Sequence, residues 1–234
     1  KENNIDLTIE NNHIENFMKY TWGNAPAIYY YSSNSYSGDV LIKNNTIELY
    51  GSAGNGILSG GNSEIIDNTI SYSQNRYTNC SRSQSGENLF AINIEDDHNI
   101  IRGNTITNFA IGIKLNSITD NTIDSNIIHT VSSLMNNVGN TWSYQYSLYG
   151  IEAQNCDSLF ITNNTVTTET GTLIYQTNGA STIKYNLLET ESGRGIWCEN
   201  QAGVEFSNNT IVSTNGNGDY GIHVSNLSAP IIKN

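Results

Sequence analysis

The chain has almost none of the residues that staple or interrupt a fold. Proline occurs twice and methionine twice in 234 residues, so nearly every backbone N–H is free to join a hydrogen-bond ladder. Cys80, Cys156 and Cys198 are an odd number with no CxxC spacing, which argues against a disulfide framework and a cysteine zinc site. Cys198 is expected to face a core, and Cys80 to sit in a polar insertion. The four histidines are scattered and leave no ligand cluster for copper. Basic residues are also few: 10 Lys and Arg stand against 22 Asp and Glu, for a formal net charge of −12. Such a surface repels polyanions and has no basic stripe for a phosphate backbone, so nucleic acid is not an expected partner. No apolar run approaches the ~18 residues a membrane span needs. No stretch has helical periodicity, and no Ser-His-Asp arrangement or phosphate-cradling glycine loop can be placed.

What is abundant is asparagine, 37 of the 234 residues, and its placement is periodic. The stretch Phe206-Ser207-Asn208-Asn209-Thr210-Ile211 recurs as Ile42-Lys43-Asn44-Asn45-Thr46-Ile47, Ile65-Ile66-Asp67-Asn68-Thr69-Ile70, Ile101-Arg102-Gly103-Asn104-Thr105-Ile106 and Ile161-Thr162-Asn163-Asn164-Thr165-Val166. Anchors at Asn12, Asn45, Asn68, Asn104, Asn126, Asn164, Asn186, Asn209 and Asn234 are spaced 33, 23, 36, 22, 38, 22, 23 and 25 residues apart. Five of these spacings are one unit, and the other three are that unit with an insertion. A period in this range marks a solenoid. One domain spanning 1–234 is expected. Because the repeat is running at Lys1 and is cut at Asn234, that domain reads as a piece of a longer protein.

Upstream of each anchor lies a second signature, as in Gly56-Ile57-Leu58, Gly112-Ile113-Lys114-Leu115, Gly150-Ile151-Glu152-Ala153, Thr172-Leu173-Ile174-Tyr175 and Gly195-Ile196-Trp197-Cys198. These are short strands with alternating apolar positions. Each unit therefore reads as one turn of a single-stranded, right-handed parallel β-helix, an all-β rod of about nine rungs stacked ~4.8 Å apart. Ile57, Ile92, Ile113, Ile151, Ile196 and Ile222 form one expected inward column. The anchor asparagines are expected at corners, in the left-handed backbone region, with their amides bonded from rung to rung. The Asn-x-Thr sequons at Asn44, Asn163 and Asn208 follow from the repeat itself.

Asn-Asn-Thr-Ile preceded by Gly-Ile strands resembles the parallel β-helix repeat family, which includes pectin-lyase-like proteins, NosD-like periplasmic proteins and adhesin-like surface proteins of methanogenic archaea. The resemblance spans essentially all 234 residues. It implies the fold, and an extracellular or cell-surface setting with polysaccharide as partner. It leaves the activity open, because that fold hosts lyases, hydrolases, epimerases, phage tailspikes and non-catalytic adhesins.

The three long spacings gather most of the aromatic residues. All three insertions are expected at the corner between the Asn-Thr-Ile strand and the Gly-Ile strand, on one side of the rod. Trp22, Tyr30 and Tyr36 fall in the first, Arg76, Tyr77 and Arg82 in the second, and Trp142, Tyr144 and Tyr146 in the third. Tyr and Trp among small polar residues suit recognition of sugar rings. With Trp197 they make the expected ligand-binding set. For an enzyme, the constellation is Glu95, Glu152 and Lys114. Aligned on the Gly-Ile strand, Asn93, Lys114, Glu152, Ile174, Trp197 and His223 form one outward row, with Glu95, Asn116, Gln154, Gln176 and Glu199 in the next. Glu95 and Glu152 would then be acid and base two rungs apart, with Lys114 between them for an anionic substrate. Glu95-Asp96-Asp97-His98 looks like the paired aspartates of polygalacturonases, but Asp96 aligns with corner residues. No metal site is expected and no cofactor, with Ca2+ the one ion the carboxylates would suit. The expected function is a carbohydrate-binding, adhesin-like module, with a polysaccharide lyase or glycoside hydrolase as the first alternative and a structural spacer as the second. The open ends of such a rod invite self-association.

Overall fold

The computed structural model describes residues 7–18, 26–31, 39–51, 55–73, 90–130, 148–200, 203–216, 220–226 and 230–233. Among them are 23 strands, numbered β1 to β23 in chain order, and no helix. A nine-stranded sheet runs from β1 (Leu7–Glu10) to β23 (Ile231–Lys233), taking from each unit the strand that leads into the anchor. A larger sheet holds the strands that leave the anchors together with the Gly-Ile strands. All pairs are parallel, each strand bonding to its counterpart one unit away. The chain is therefore a solenoid of nine successive passes.

Alternation fills the interior with three apolar columns. Ile57, Ile92, Ile113, Ile151, Ile174 and Ile196 are in register and fully buried, with Ile28 and Ile222 extending the same column at its two ends. Ile42, Ile65, Ile101, Ile123, Ile161 and Ile183 form the second, and Ile47, Ile70, Ile106, Ile128, Val166 and Leu188 the third. Strand alternation sends every second side chain inward, so an Ile at a fixed place in each unit stacks on the Ile above and below it. Cys156 and Cys198 are free thiols in this core, and burial pushes Cys198 up to about 12. Cys80 lies outside the described residues.

The anchor asparagines form a continuous ladder. Asn126 is typical: its backbone N–H and its Nδ2 both donate to Asn164 Oδ1, at 2.9 and 3.0 Å, and Nδ2 also donates to the Ile101 carbonyl at 2.9 Å. The same bonds link Asn12, Asn45, Asn68, Asn104, Asn126, Asn164, Asn186 and Asn209. A second, shorter ladder runs through Ser63, Asn99 and Asn121. The expected left-handed geometry belongs one residue earlier. Asn11, Asn44, Asp67, Gly103, Ser125, Asn163, Tyr185 and Asn208 carry φ of 54–67°, while the anchors do not. The residue before the anchor turns the corner, which leaves the anchor's amide directed along the stack.

Two further expectations need correction. Ile174 and Gln176 are not outward, because Glu152 pairs with Tyr175 and Ala153 with Gln176. Leu173 takes the place that glycine holds in most other units, so Ile174 aligns with Ile151 and not with Glu152. Gln176 is thereby fully buried, with neither amide atom hydrogen-bonded. The first insertion is not one loop either. Strand β3 (Pro26–Tyr31) divides it into 19–25 and 32–38, so Tyr29, Tyr30 and Tyr31 are strand residues.

In two of the units without an insertion, those of Asn164 and Asn186, the two strands of the larger sheet fuse into 13-residue strands, β17 (Thr165–Thr177) and β19 (Leu187–Glu199). Glycine makes the fused corner fit: Gly171 has φ of 130°, and a Cβ on Gly193 would lie 2.1 Å from the Gly171 carbonyl oxygen. Ile151→Ala is expected to destabilise the fold by ~2–5 kcal/mol in urea unfolding. Gln176→Leu, which removes an unsatisfied amide at nearly constant volume, is expected to stabilise it by ~1–3 kcal/mol.

Candidate functional site

The outward face of the Gly-Ile strands carries the groups with chemistry. Its central row, read from rung to rung, is Tyr29, Leu58, Asn93, Lys114, Glu152, Tyr175, Trp197 and His223. Parallel pairing without register shifts along these strands keeps the row straight. It places side chains ~4.8 Å apart along the axis.

Glu152, on β15 (Tyr149–Gln154), is the buried carboxylate of this face, with 5% of its surface exposed. Gln154 Nε2 donates to Glu152 Oε1 at 2.6 Å, and Lys114 Nζ stands 3.8 Å from Oε2, which has no hydrogen-bond partner. Burial pushes the Glu152 carboxyl above the usual glutamate range, and Lys114 and the Gln154 amide offset only part of that rise. Rings stand beside Glu152 on its own strand and on the next rungs. Tyr149 stacks on Tyr175 at 5.0 Å between centroids, Tyr175 meets Trp197 edge-on at 6.0 Å, Trp197 meets His223 at 5.2 Å, and Tyr220 meets His223 at 4.9 Å. The Arg194 guanidinium lies 3.8 Å over the Trp197 ring, whose Nε1–H donates to Glu199 Oε1 at 2.7 Å. Burial, then the negative charge of Glu199, push the Tyr175 phenol up.

The structure brings Lys114, Glu152 and Trp197 into one row, as expected. It does not bring Glu95 to Glu152. Glu95 is exposed, accepts a 3.0 Å bond from Asn93 Nδ2, and lies in the neighbouring row two rungs away, roughly 12 Å from Glu152 by strand spacing and rise. The expected acid and base pair is thus unequal in setting, Glu95 open to solvent and Glu152 buried. Tyr30 is corrected as well: alternation turns it inward against the core, while Tyr29 and Tyr31 point outward. Asp96 is a turn residue, as its alignment implies, and its carboxylate caps the Asp97 N–H. Trp22, Tyr36, Arg76, Tyr77, Arg82, Trp142, Tyr144 and Tyr146 lie outside the described residues. Among the described residues, no three His, Cys, Asp or Glu side chains gather to hold a metal ion.

Sequence reasoning missed Tyr175, because of the one-residue slip, and also Tyr220; Tyr149, which it assigns to the third aromatic insertion, and Arg194 it does not place on this face. Tyr149 and Arg194 pair with Thr172, so the three stand on adjacent rungs. The signal that finds them is register counted from the buried Ile of each strand.

Residues 91–234 match the family described as the right handed beta helix region, and the chain belongs to that family. No curated protein matches the sequence. Among solved structures the chain is similar in fold to the Dettilon tailspike protein, with a TM-score of 0.51 and 14% identity over 97% of this chain. It spans 59% of that protein's length.

The Glu152 environment has a measurable consequence. A folded-state value raised above the unfolded one contributes stability that is complete below the unfolded ~4.3 and is lost as pH rises through the folded value. Glu152→Gln is therefore expected to match the wild type in urea midpoint near about pH 4 and to exceed it by a growing margin toward about pH 8. A margin that shrinks with rising pH would contradict this environment.

Proposed function

We propose that this chain is a carbohydrate-binding β-helix module of an extracellular or cell-surface protein, adhesin-like in role, and that a polysaccharide or surface glycan lies on the outward face of the Gly-Ile strands. The observation that carries the reading is the row of rings from Tyr149 through Tyr175 and Trp197 to Tyr220, bordered by Lys114, Glu152, Gln154 and Glu199. Sugar rings offer C–H faces to aromatic rings and hydroxyls to such polar groups. Apolar and polar partners are therefore supplied side by side. At Trp197 the sugar would meet the guanidinium that covers the ring, and at Tyr149 and Tyr175 the rings themselves. The fold shared with a tailspike protein is consistent with this reading and adds no contact to it.

A net charge of −12 disfavours a strongly anionic polymer, whereas stacking on rings needs no charge. Binding is therefore expected to be insensitive to salt. Affinity per site is modest and becomes useful through repetition along a parent protein. The test is a glycan array followed by calorimetry on the wild type and a Tyr175→Ala/Trp197→Ala variant. Roughly tenfold weaker binding in the variant is expected. Unchanged binding would sink the placement on this face, and an empty array would leave the spacer reading.

One observation favours a second reading, a polysaccharide lyase or glycoside hydrolase. Glu152 is a buried carboxyl, raised above the usual glutamate range by that burial, beside a lysine and an aromatic pair, which is the kind of environment a general acid uses. Reducing-sugar and unsaturated-product assays on a polysaccharide panel decide it. No turnover is expected. Activity that Glu152→Gln abolishes would replace the binding module with an enzyme.

A further inference from the structure

We infer that Tyr29 and Tyr31 form a second sugar-stacking platform on the same outward face, and that the ligand is a linear glycan lying along the solenoid axis, long enough to touch both platforms. This rests on the carbohydrate reading and deepens it.

The two tyrosines are the most exposed aromatic pair on the described face, at 61% and 59% of their surface. Their exposure follows from strand alternation: Tyr30 between them is turned into the core and fixes β3 in place, and its neighbours can only point out. The rings are held near-parallel, with 13° between their planes and 6.4 Å between centroids. Gly60, the partner of Tyr31 on the next rung, leaves room for this. A Cβ there would stand 3.0 Å from the Tyr31 ring, so the ring lies across the glycine backbone with no side chain beneath it. By contrast Tyr50 and Tyr72, in the other strand column, are buried.

The position of the pair defines the direction of the ligand. Tyr29 begins the row that continues through Leu58, Asn93, Lys114 and Glu152 to Tyr175, five rung steps away, or ~24 Å at the parallel-strand spacing. Ringed ends and a mostly polar middle therefore succeed one another along the axis and not across it. The polar middle offers Glu95, Lys114 and Asn116 to hydroxyls. A chain with about one sugar unit per ~4.8 Å rung would need about five or six units to join the platforms. A ligand crossing the strands sideways would meet one platform only.

The experiment uses fragments of about two to about ten units cut from the linear polysaccharide that binds best on the array, titrated by calorimetry. A rise in affinity of roughly tenfold or more is expected between about four and about seven units. Tyr29→Ala/Tyr31→Ala is expected to remove that step and to leave the affinity of the shortest fragments unchanged. Tyr29→Phe/Tyr31→Phe should keep it, and melting curves of both variants should match the wild type because the rings are exposed. Short fragments that already bind with full affinity, or a step that survives the alanine variant, would overturn the inference while the carbohydrate reading stands. An array without any bound glycan would overturn both.

Discussion

The structure depends on a side-chain amide that can be satisfied only by copies of itself. Each anchor asparagine from Asn45 to Asn186 is buried at a corner where water cannot reach, and an unpaired amide there would cost about 1–3 kcal/mol. Its oxygen is claimed by two N–H groups of one neighbour, and its nitrogen donates to the other neighbour and to a carbonyl. No other side chain offers an acceptor and a double donor at that reach. The ladder consequently sets the register of every pass, and register decides which side chains are core and which are face. The chemistry of the outward row is thus inherited from a row of asparagines on a different corner.

This explains why so much of the fold is legible in the sequence. A ladder of identical residues must print a period, and the spacings between anchors are the sequence separations of the bonded pairs, from 33 for Asn12 and Asn45 to 23 for Asn186 and Asn209. The Ile columns are legible for the same reason, since a stack of like shapes repeats like letters. The residue before the anchor is less legible, because the left-handed corner accepts Asn, Asp, Gly, Ser and even Tyr185. A position defined by backbone conformation and exposure has no single letter.

The face was harder to read than the core. Leu173 in place of the usual glycine concealed Tyr175 by one residue, and a one-residue slip exchanges inside for outside. Glu95 and Glu152 share the outward face in adjacent rows, and rung counting gives that placement but not the burial that sets the two apart. Lys114 and Glu152 were found because they are direct lateral neighbours. Contacts between adjacent rungs are written in the alignment, whereas those that depend on how a side chain leans, such as Arg194 over Trp197, are not.

The fused corners of β17 and β19 have an implication for how such a chain diversifies. From the strand that leaves the anchor to the buried Ile of the next strand, the chain advances 8 residues from Thr105 to Ile113, 9 from Thr165 to Ile174 and from Leu187 to Ile196, where Gly171 and Gly193 close the corner, and 24 from Ile127 to Ile151. The anchors on either side keep their bonding partners throughout. Length at this corner is therefore uncoupled from register, and selection can lengthen, shorten or exchange the inserted segments without renegotiating the scaffold. A rod of this kind is an evolvable display frame, conservative in its rungs and free at its corners.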